Sequence, residues 1–197
     1  MLKLVMSNKA EENMFAQLRI ALALTVLLCG GTAFAQDITI GMTVGTTGAF
    51  AGGEAPLLNG VKMAVADINA AGGVSGRKLK LVVEDTGSEQ TGAVNAYNRM
   101  LSQNPAAIMN TTISGFILSQ IGTIEDEGVP TFTGAASAQL ALDRKGVANL
   151  FRVRTSDLRV PAAAVKFAMN NLGAKKIAVL RVNNEYGNGW RTAIEAT

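Results

Sequence analysis

After residue 35, short apolar runs alternate with longer stretches whose apolar positions recur every three or four residues. The short runs predict strands at 37–44, 77–85, 106–110, 129–134 and 174–182, the last being the clearest buried strand. The periodic stretches predict helices at 54–71, 89–103, 115–127, 155–173 and from Gly189 onward, with a short helix or loop at 137–146. This alternation predicts βαβ units and therefore an α/β fold with a doubly wound parallel sheet.

Sheets of this kind bind ligands at the carboxyl ends of their strands, beside the N-termini of helices. Three loops fall at such positions, namely 45–53, 110–115 and 134–138. A fourth loop, 183–188, follows the strand predicted at 174–182. We therefore expect a binding site where these loops meet.

The first 35 residues differ from the rest of the chain. Arg19 precedes an apolar core at 20–28, and small residues follow up to the Ala-Phe-Ala sequence that ends at Ala35. This order predicts a secretory signal peptide, 1–35, that is cleaved after Ala35, and its apolar core is too short to span a bilayer. Translation could begin at Met1 or at Met14.

Composition excludes several functions. The chain has no histidine, one cysteine and a formal net charge of +3, which leaves no His-based catalysis, no cysteine metal cluster and no electrostatic footprint for nucleic acid. No phosphate-binding glycine motif and no nucleophile elbow is present. The acidic run 125–127 is interpreted as a solvated helix end. We therefore predict that the protein is not an enzyme and that it has no catalytic residue, no bound metal and no cofactor.

Ser114 lies where a predicted strand meets a predicted helix, with no cation in the neighbouring sequence. It could be a plain N-cap of the helix at 115–127. It could also join the first free N–H groups of that helix in receiving an anion. Both interpretations stay open, and they are compatible with each other.

Two further loops repeat this choice between structure and function. Ala135 and Ser137 follow the next strand and suit either a small-residue turn or a ligand head group. Tyr186 is either a surface aromatic or a wall that closes over a ligand. Gly45 and Gly48 suit either turns or a close backbone approach to a ligand.

Four segments occur in a familiar order: INAAGGVSGRKLKLVVED, IEDEGVPTFTGAAS, LFRVRTSD and KKIAVLRVNNEYGNG. From Asp37 to the end, the chain resembles the Leu/Ile/Val-binding family of periplasmic ligand-binding proteins. The resemblance implies the two-lobed type I fold, with a first lobe at 36–153 and the start of an incomplete second lobe at 154–197. Because the chain stops within a helical pattern, we expect it to be an N-terminal fragment.

The resemblance also implies a function. It predicts a periplasmic receptor of an ABC importer that binds a small amino acid of the branched-chain type, or a similar carboxylate, for an inner-membrane permease. The full-length protein would be a monomer. Alternatives are a receptor for an amide, urea or an aromatic acid, and a sensing domain of a regulatory protein with the same fold.

Site residues follow from the resemblance position by position. Ser114 matches the serine that binds the ligand carboxylate, and Ala135 matches a carbonyl that accepts from the ammonium group. Ser137 matches a hydroxyl at the same head group, and Tyr186 matches the aromatic residue that covers the ligand. Thr112 and Ile113 match positions that line the pocket. Gly53 stands where relatives often carry an aromatic residue, so this chain departs from the family there. The acidic partner of the ammonium group would lie beyond Thr197.

Overall fold

The computed structural model describes residues 36–137, 140, 147–157 and 159–197. Five strands in this part form one sheet: β1 (Ile38–Val44), β2 (Leu79–Asp85), β3 (Ala107–Asn110), β4 (Thr131–Thr133) and β5 (Leu150–Arg152). The described helices are α1 (Ala51–Ala70), α2 (Gln90–Leu101), α3 (Ser114–Glu127), α4 (Val160–Leu172) and α5 (Glu185–Glu195). The predicted α/β alternation is confirmed.

The strands are ordered β2-β1-β3-β4-β5, and every neighbouring pair is parallel. This is the order of a doubly wound sheet. β2 is added on one side of β1, and β3, β4 and β5 are added on the other side, so the strand order switches between β1 and β3. β2 lies at one edge of this sheet. The loops after β1 and β3 therefore meet at the point where such sheets bind ligands.

The core lies between the sheet and α2 and α3. Its central side chains are Tyr97, Met100, Ile108 and Ile124, all fully buried. The hydroxyl of Tyr97 is satisfied by Oγ1 of Thr131 at 2.8 Å. Burial raises the pKa of Tyr97, so its hydroxyl stays neutral and the core carries no charge there.

A buried polar network fixes the end of β3 against α3. Thr43 Oγ1 donates to Asn110 Oδ1 over 2.5 Å, and the amide of Asn110 donates to Gln120 Oε1 over 2.7 Å. Gln120 in turn donates to the carbonyl of Ala93 over 2.9 Å. Because buried polar groups need partners, this satisfied chain allows only one relative position of β3 and α3.

The prediction of a strand at 174–182 is wrong. These residues follow α4 without pairing to any described strand, and apolar side chains such as Ile177 and Leu180 stay exposed. An apolar run forms a strand only when another strand lies beside it. The last helix also begins earlier than predicted, at Glu185, because the Asn184 side chain caps it by accepting from Gly187 N–H at 3.0 Å.

Two predictions fall outside the described residues. They are the signal peptide, 1–35, and most of the segment 137–146. Gln36–Thr197 form one compact unit, and the lobe boundary between 153 and 154 stays a prediction. The helices found in this unit are too short or too polar to span a bilayer.

Asp85 holds the loop after β1, and this contact predicts an acid-sensitive contribution to stability. Its carboxylate accepts from Thr47 Oγ1 at 2.6 Å and from the N–H groups of Thr46 and Gly87, both at 2.9 Å. Burial pushes the pKa of Asp85 up, but these hydrogen bonds outweigh it and hold the pKa below its ordinary value. The stabilisation is therefore present above the unfolded-state pKa of about 4 and is lost as the pH falls below it.

We expect Asp85→Asn to be less stable than the wild type at about pH 5. The difference in the free energy of unfolding should shrink as the pH falls towards about 2. Urea denaturation at a series of pH values measures this gap. A gap that stays constant across the series would contradict the role given to the carboxylate.

Candidate functional site

Ser114 and Ser137, predicted on separate loops, are brought into contact. Ser114 Oγ accepts a hydrogen bond from the Ser137 N–H at 3.2 Å, and Ser114 is 3% exposed. Ser114 is the first residue of α3 and Ile113 is the N-cap, so Ser114 does not cap this helix. The N-cap interpretation of Ser114 is thus wrong, while the loops after β3 and β4 do contact each other.

The start of α3 keeps unused donors. The Ile113 carbonyl accepts from the N–H groups of Phe116 and Ile117, at 3.1 and 3.2 Å. The N–H groups of Ser114 and Gly115 donate to no residue in the described part of the chain. The positive end of the helix dipole adds to these donors. The start of α3 can therefore bind a small anion.

A cleft opens in front of these donors. It consists of two cavities of about 320 and 300 Å³ that share Phe50, Ile113, Ser114, Asn184 and Tyr186. Thr112 and Val182 line the first cavity as well. Glu185 is the one charged residue among the described lining residues, and it lines the second cavity. Because the lining offers no cation, an anion here would be held by backbone N–H groups and hydroxyls.

The far wall of the cleft comes from α5. Tyr186 is 38% exposed, and its ring lies 6.2 Å from that of Trp190, measured between centroids. Trp190 Nε1 donates to the buried Asp157 Oδ2 over 2.8 Å, which anchors α5. Tyr186 therefore faces Ser114 across the cleft from a fixed helix.

Ala135 and Ser137 lie beside Ser114 but do not line the cleft. Both are fully buried, and the Ala135 N–H donates to Thr133 Oγ1 over 3.0 Å. The Ser137 carbonyl accepts from Arg152 Nη1 at 3.2 Å, so a cation supports this loop from β5. Burial lowers the pKa of Arg152, and the nearby Asp157 offsets this only in part. Their predicted contacts with a ligand head group stay predictions.

Gly53 is exposed on α1 and does not line the cleft, while Phe50 does. Phe50 packs edge-on against Phe116 with ring centroids 5.9 Å apart. Sequence reasoning missed Phe50, although an aromatic residue in the loop after β1 was a usable signal. Phe50 therefore gives the cleft an aromatic wall. It lies three residues before Gly53, which stands in place of the aromatic residue that the resemblance implies.

The two open glycine interpretations are resolved differently. Gly48 has a φ of +82°, which makes it a turn residue. The Gly45 N–H donates to Glu54 Oε2 over 2.6 Å, and an added Cβ at Gly45 would lie 3.1 Å from the same oxygen. Gly45 thus permits close approach of a protein carboxylate and not of a ligand.

The described residues contain no group of three or more potential metal ligands of the His, Cys, Asp and Glu types. The open parallel sheet, the unused helix donors and the cleft at the carboxyl ends of the strands define a ligand-binding protein. The family of periplasmic binding proteins matches residues 37–197, and the chain belongs to this family. It is a family of binding proteins and not of enzymes, as the sequence predicted.

Individual relatives agree with this membership. A Leu/Ile/Val-binding protein, BraC3, of Rhizobium johnstonii is 30% identical over 178 residues, covering 88% of this chain and 48% of the relative. A leucine-binding protein structure from Thermotoga maritima, LivK, is 28% identical with a TM-score of 0.71, covering 81% of this chain and 45% of that one.

A branched-chain amino acid transporter substrate-binding protein from Streptococcus pneumoniae, LivJ, solved with isoleucine, shares the fold at 24% identity and a TM-score of 0.74. The match covers 81% of this chain and 46% of the LivJ chain. The prediction of a type I periplasmic binding protein fold is confirmed. The chain spans about half the length of the relatives it matches.

Proposed function

We propose that the whole protein is a periplasmic receptor that captures a small branched-chain amino acid, or a similar carboxylate, and delivers it to an inner-membrane ABC permease. Two lobes would close on the ligand, and the full-length receptor would act as a monomer. Relatives named as Leu/Ile/Val-binding or leucine-binding proteins support this ligand class. Export after cleavage at Ala35 is part of the same proposal.

One observation carries the proposal. The N–H groups of Ser114 and Gly115 are unused within the described chain, and both residues line a cleft whose described lining contains no cation. Hydrogen bonds to a charged group contribute roughly 1.5–3 kcal/mol each, so two or three of them can hold a carboxylate. The Ser114 hydroxyl adds a further donor while it accepts from Ser137.

The remaining lining residues suit the rest of such a ligand. Thr112, Ile113, Val182 and Phe50 give one cavity a mostly apolar wall, which is what an aliphatic side chain needs. Tyr186 covers the opening from the α5 side. A ligand that touches both walls would stabilise the closed arrangement through contacts that the open one lacks.

A thermal-shift comparison of L-leucine and L-leucinamide tests the proposal on the whole protein. The two compounds differ in their carboxylate, which the start of α3 is proposed to bind. L-leucine at a hundredfold excess over its Kd should add about 2.7 kcal/mol to the free energy of unfolding and raise Tm by several degrees. L-leucinamide should give little shift. Equal shifts from both, or none from L-leucine, L-isoleucine and L-valine, would refute it.

A further inference from the structure

Glu54 is a buried carboxylate near the cleft that the proposed ligand contacts do not use. It lies in the first turn of α1 and is 1% exposed. It forms no ion pair with a described lysine or arginine. Buried polar oxygens of this kind need hydrogen-bond donors around them. The donors around Glu54 therefore show which parts of the chain it holds together.

Four donors from two loops converge on this carboxylate. Oε2 accepts from the Gly45 N–H at 2.6 Å. Oε1 accepts from the Thr112 N–H at 2.7 Å and from Thr112 Oγ1 at 3.1 Å. The Thr111 hydroxyl donates to the same oxygen. Glu54 thus ties the end of β1 to the loop between β3 and α3, two residues before Ser114.

The hydrogen bonds to Glu54 also fix the contacts of the Thr112 side chain. Its hydroxyl is bound by Glu54, and its γ-methyl group lies so close to Gly134 that an added Cβ there would be 2.9 Å away. Thr112 is at the same time a lining residue of the 320 Å³ cavity. With the hydroxyl bound by Glu54 and the methyl group packed near Gly134, Thr112 has no free hydroxyl group to offer a ligand in the cavity.

We infer that Glu54 is a positioning residue, which holds the ligand loop and turns the Thr112 hydroxyl away from the cleft, so that the site prefers aliphatic to hydroxylated side chains. This inference rests on the proposed function as an amino acid receptor. L-valine and L-threonine are suitable probes because they have nearly the same shape and differ by a methyl and a hydroxyl group.

Glu54→Leu removes every acceptor while it fills a similar volume. We expect it to shift the ratio of L-threonine to L-valine affinity about tenfold towards L-threonine, because the freed Thr112 hydroxyl can turn into the cleft. In the double variant with Thr112→Val the ratio should return to the wild-type value. A purely structural role would weaken both ligands equally. An unchanged ratio in Glu54→Leu, or a shift that persists in the double variant, would overturn the inference.

Two conservative variants guard against a folding defect. Glu54→Gln keeps one acceptor oxygen and should restore most of the wild-type ratio. Thr112→Ser keeps the hydroxyl group as a donor to Glu54, so the ratio of L-threonine to L-valine affinity should stay near the wild-type value. A ratio shifted towards L-threonine in Thr112→Ser would contradict a hydroxyl group that Glu54 holds away from the ligand.

Amide hydrogen exchange separates this inference from the proposed function. In Glu54→Gln the Gly45 N–H faces an amide and should exchange at least tenfold faster, whether or not any amino acid binds. Asp85→Asn is the matched control, because it removes another carboxylate that holds the loop after β1 but keeps the Glu54 acceptor, so the Gly45 N–H should exchange at a rate near that of the wild type. If the wild type binds neither probe, the ligand proposal fails, and unchanged exchange at Gly45 would then overturn the role of Glu54 as well.

Discussion

Ser114→Ala is expected to weaken binding of L-leucine to the whole protein by about tenfold to a hundredfold, measured by isothermal titration calorimetry. The variant loses one hydroxyl that is proposed to contact the ligand carboxylate, and a hydrogen bond to a charged group contributes roughly 1.5–3 kcal/mol. Ser114 is 3% exposed and its hydroxyl group accepts from the Ser137 N–H, so the substitution also removes a contact with that loop. The two unused N–H groups at the start of α3 remain, which is why some binding should persist.

Ser119→Ala is the matched control for this substitution. It makes the same chemical change in the same helix, where the Ser119 hydroxyl donates to the Phe116 carbonyl over 2.7 Å and does not line the cleft. Its affinity for L-leucine should stay within about twofold of the wild type, because no proposed ligand contact changes. Wild-type affinity in Ser114→Ala would remove the start of α3 from the binding site.

Most of the fold could be predicted because its signals are local. The strands β1, β2 and β3 and the helices α2 and α3 begin and end within a few residues of their predicted bounds. Periodicity and glycine stops encode them, as in α4, which ends at Gly173 with a φ of +65°. The segment 174–182 failed because periodicity reports apolar character, whereas a strand also needs a neighbour that the local sequence does not specify.

The site was predictable where it depends on position in a parallel sheet. Residues after β3 and β4, such as Ser114 and Ser137, had to come together at one edge, and they do. Glu54 was not predictable, because its partner Thr111 is 57 residues away and a glutamate in a first helical turn looks like an ordinary dipole contact. A long-range hydrogen bond leaves no mark on the local pattern.

Gly92→Ala is expected to lower the free energy of unfolding by about 1–3 kcal/mol, although alanine normally stabilises a helix relative to glycine. Gly92 lies in the first turn of α2, and an added Cβ would stand 2.1 Å from the Thr86 carbonyl oxygen. Real atoms cannot approach so closely, so α2 or the loop from β2 must move. That loop contains Thr86 itself, whose N–H donates to the Val44 carbonyl at the end of β1 over 3.1 Å.

Gly122→Ala makes the same substitution in α3 at a position where an added Cβ meets nothing within 4 Å. There the ordinary helix preference should dominate, and the variant should gain about 0.5–1 kcal/mol. Urea denaturation of the two variants and the wild type compares the opposite signs directly. If Gly92→Ala were as stable as Gly122→Ala, α2 could not be packed as closely on the end of β2 as the described contact requires. The loop that approaches the cleft from β1 would then depend on its hydrogen bonds with Asp85, Glu54 and Ser88, without support from this glycine contact.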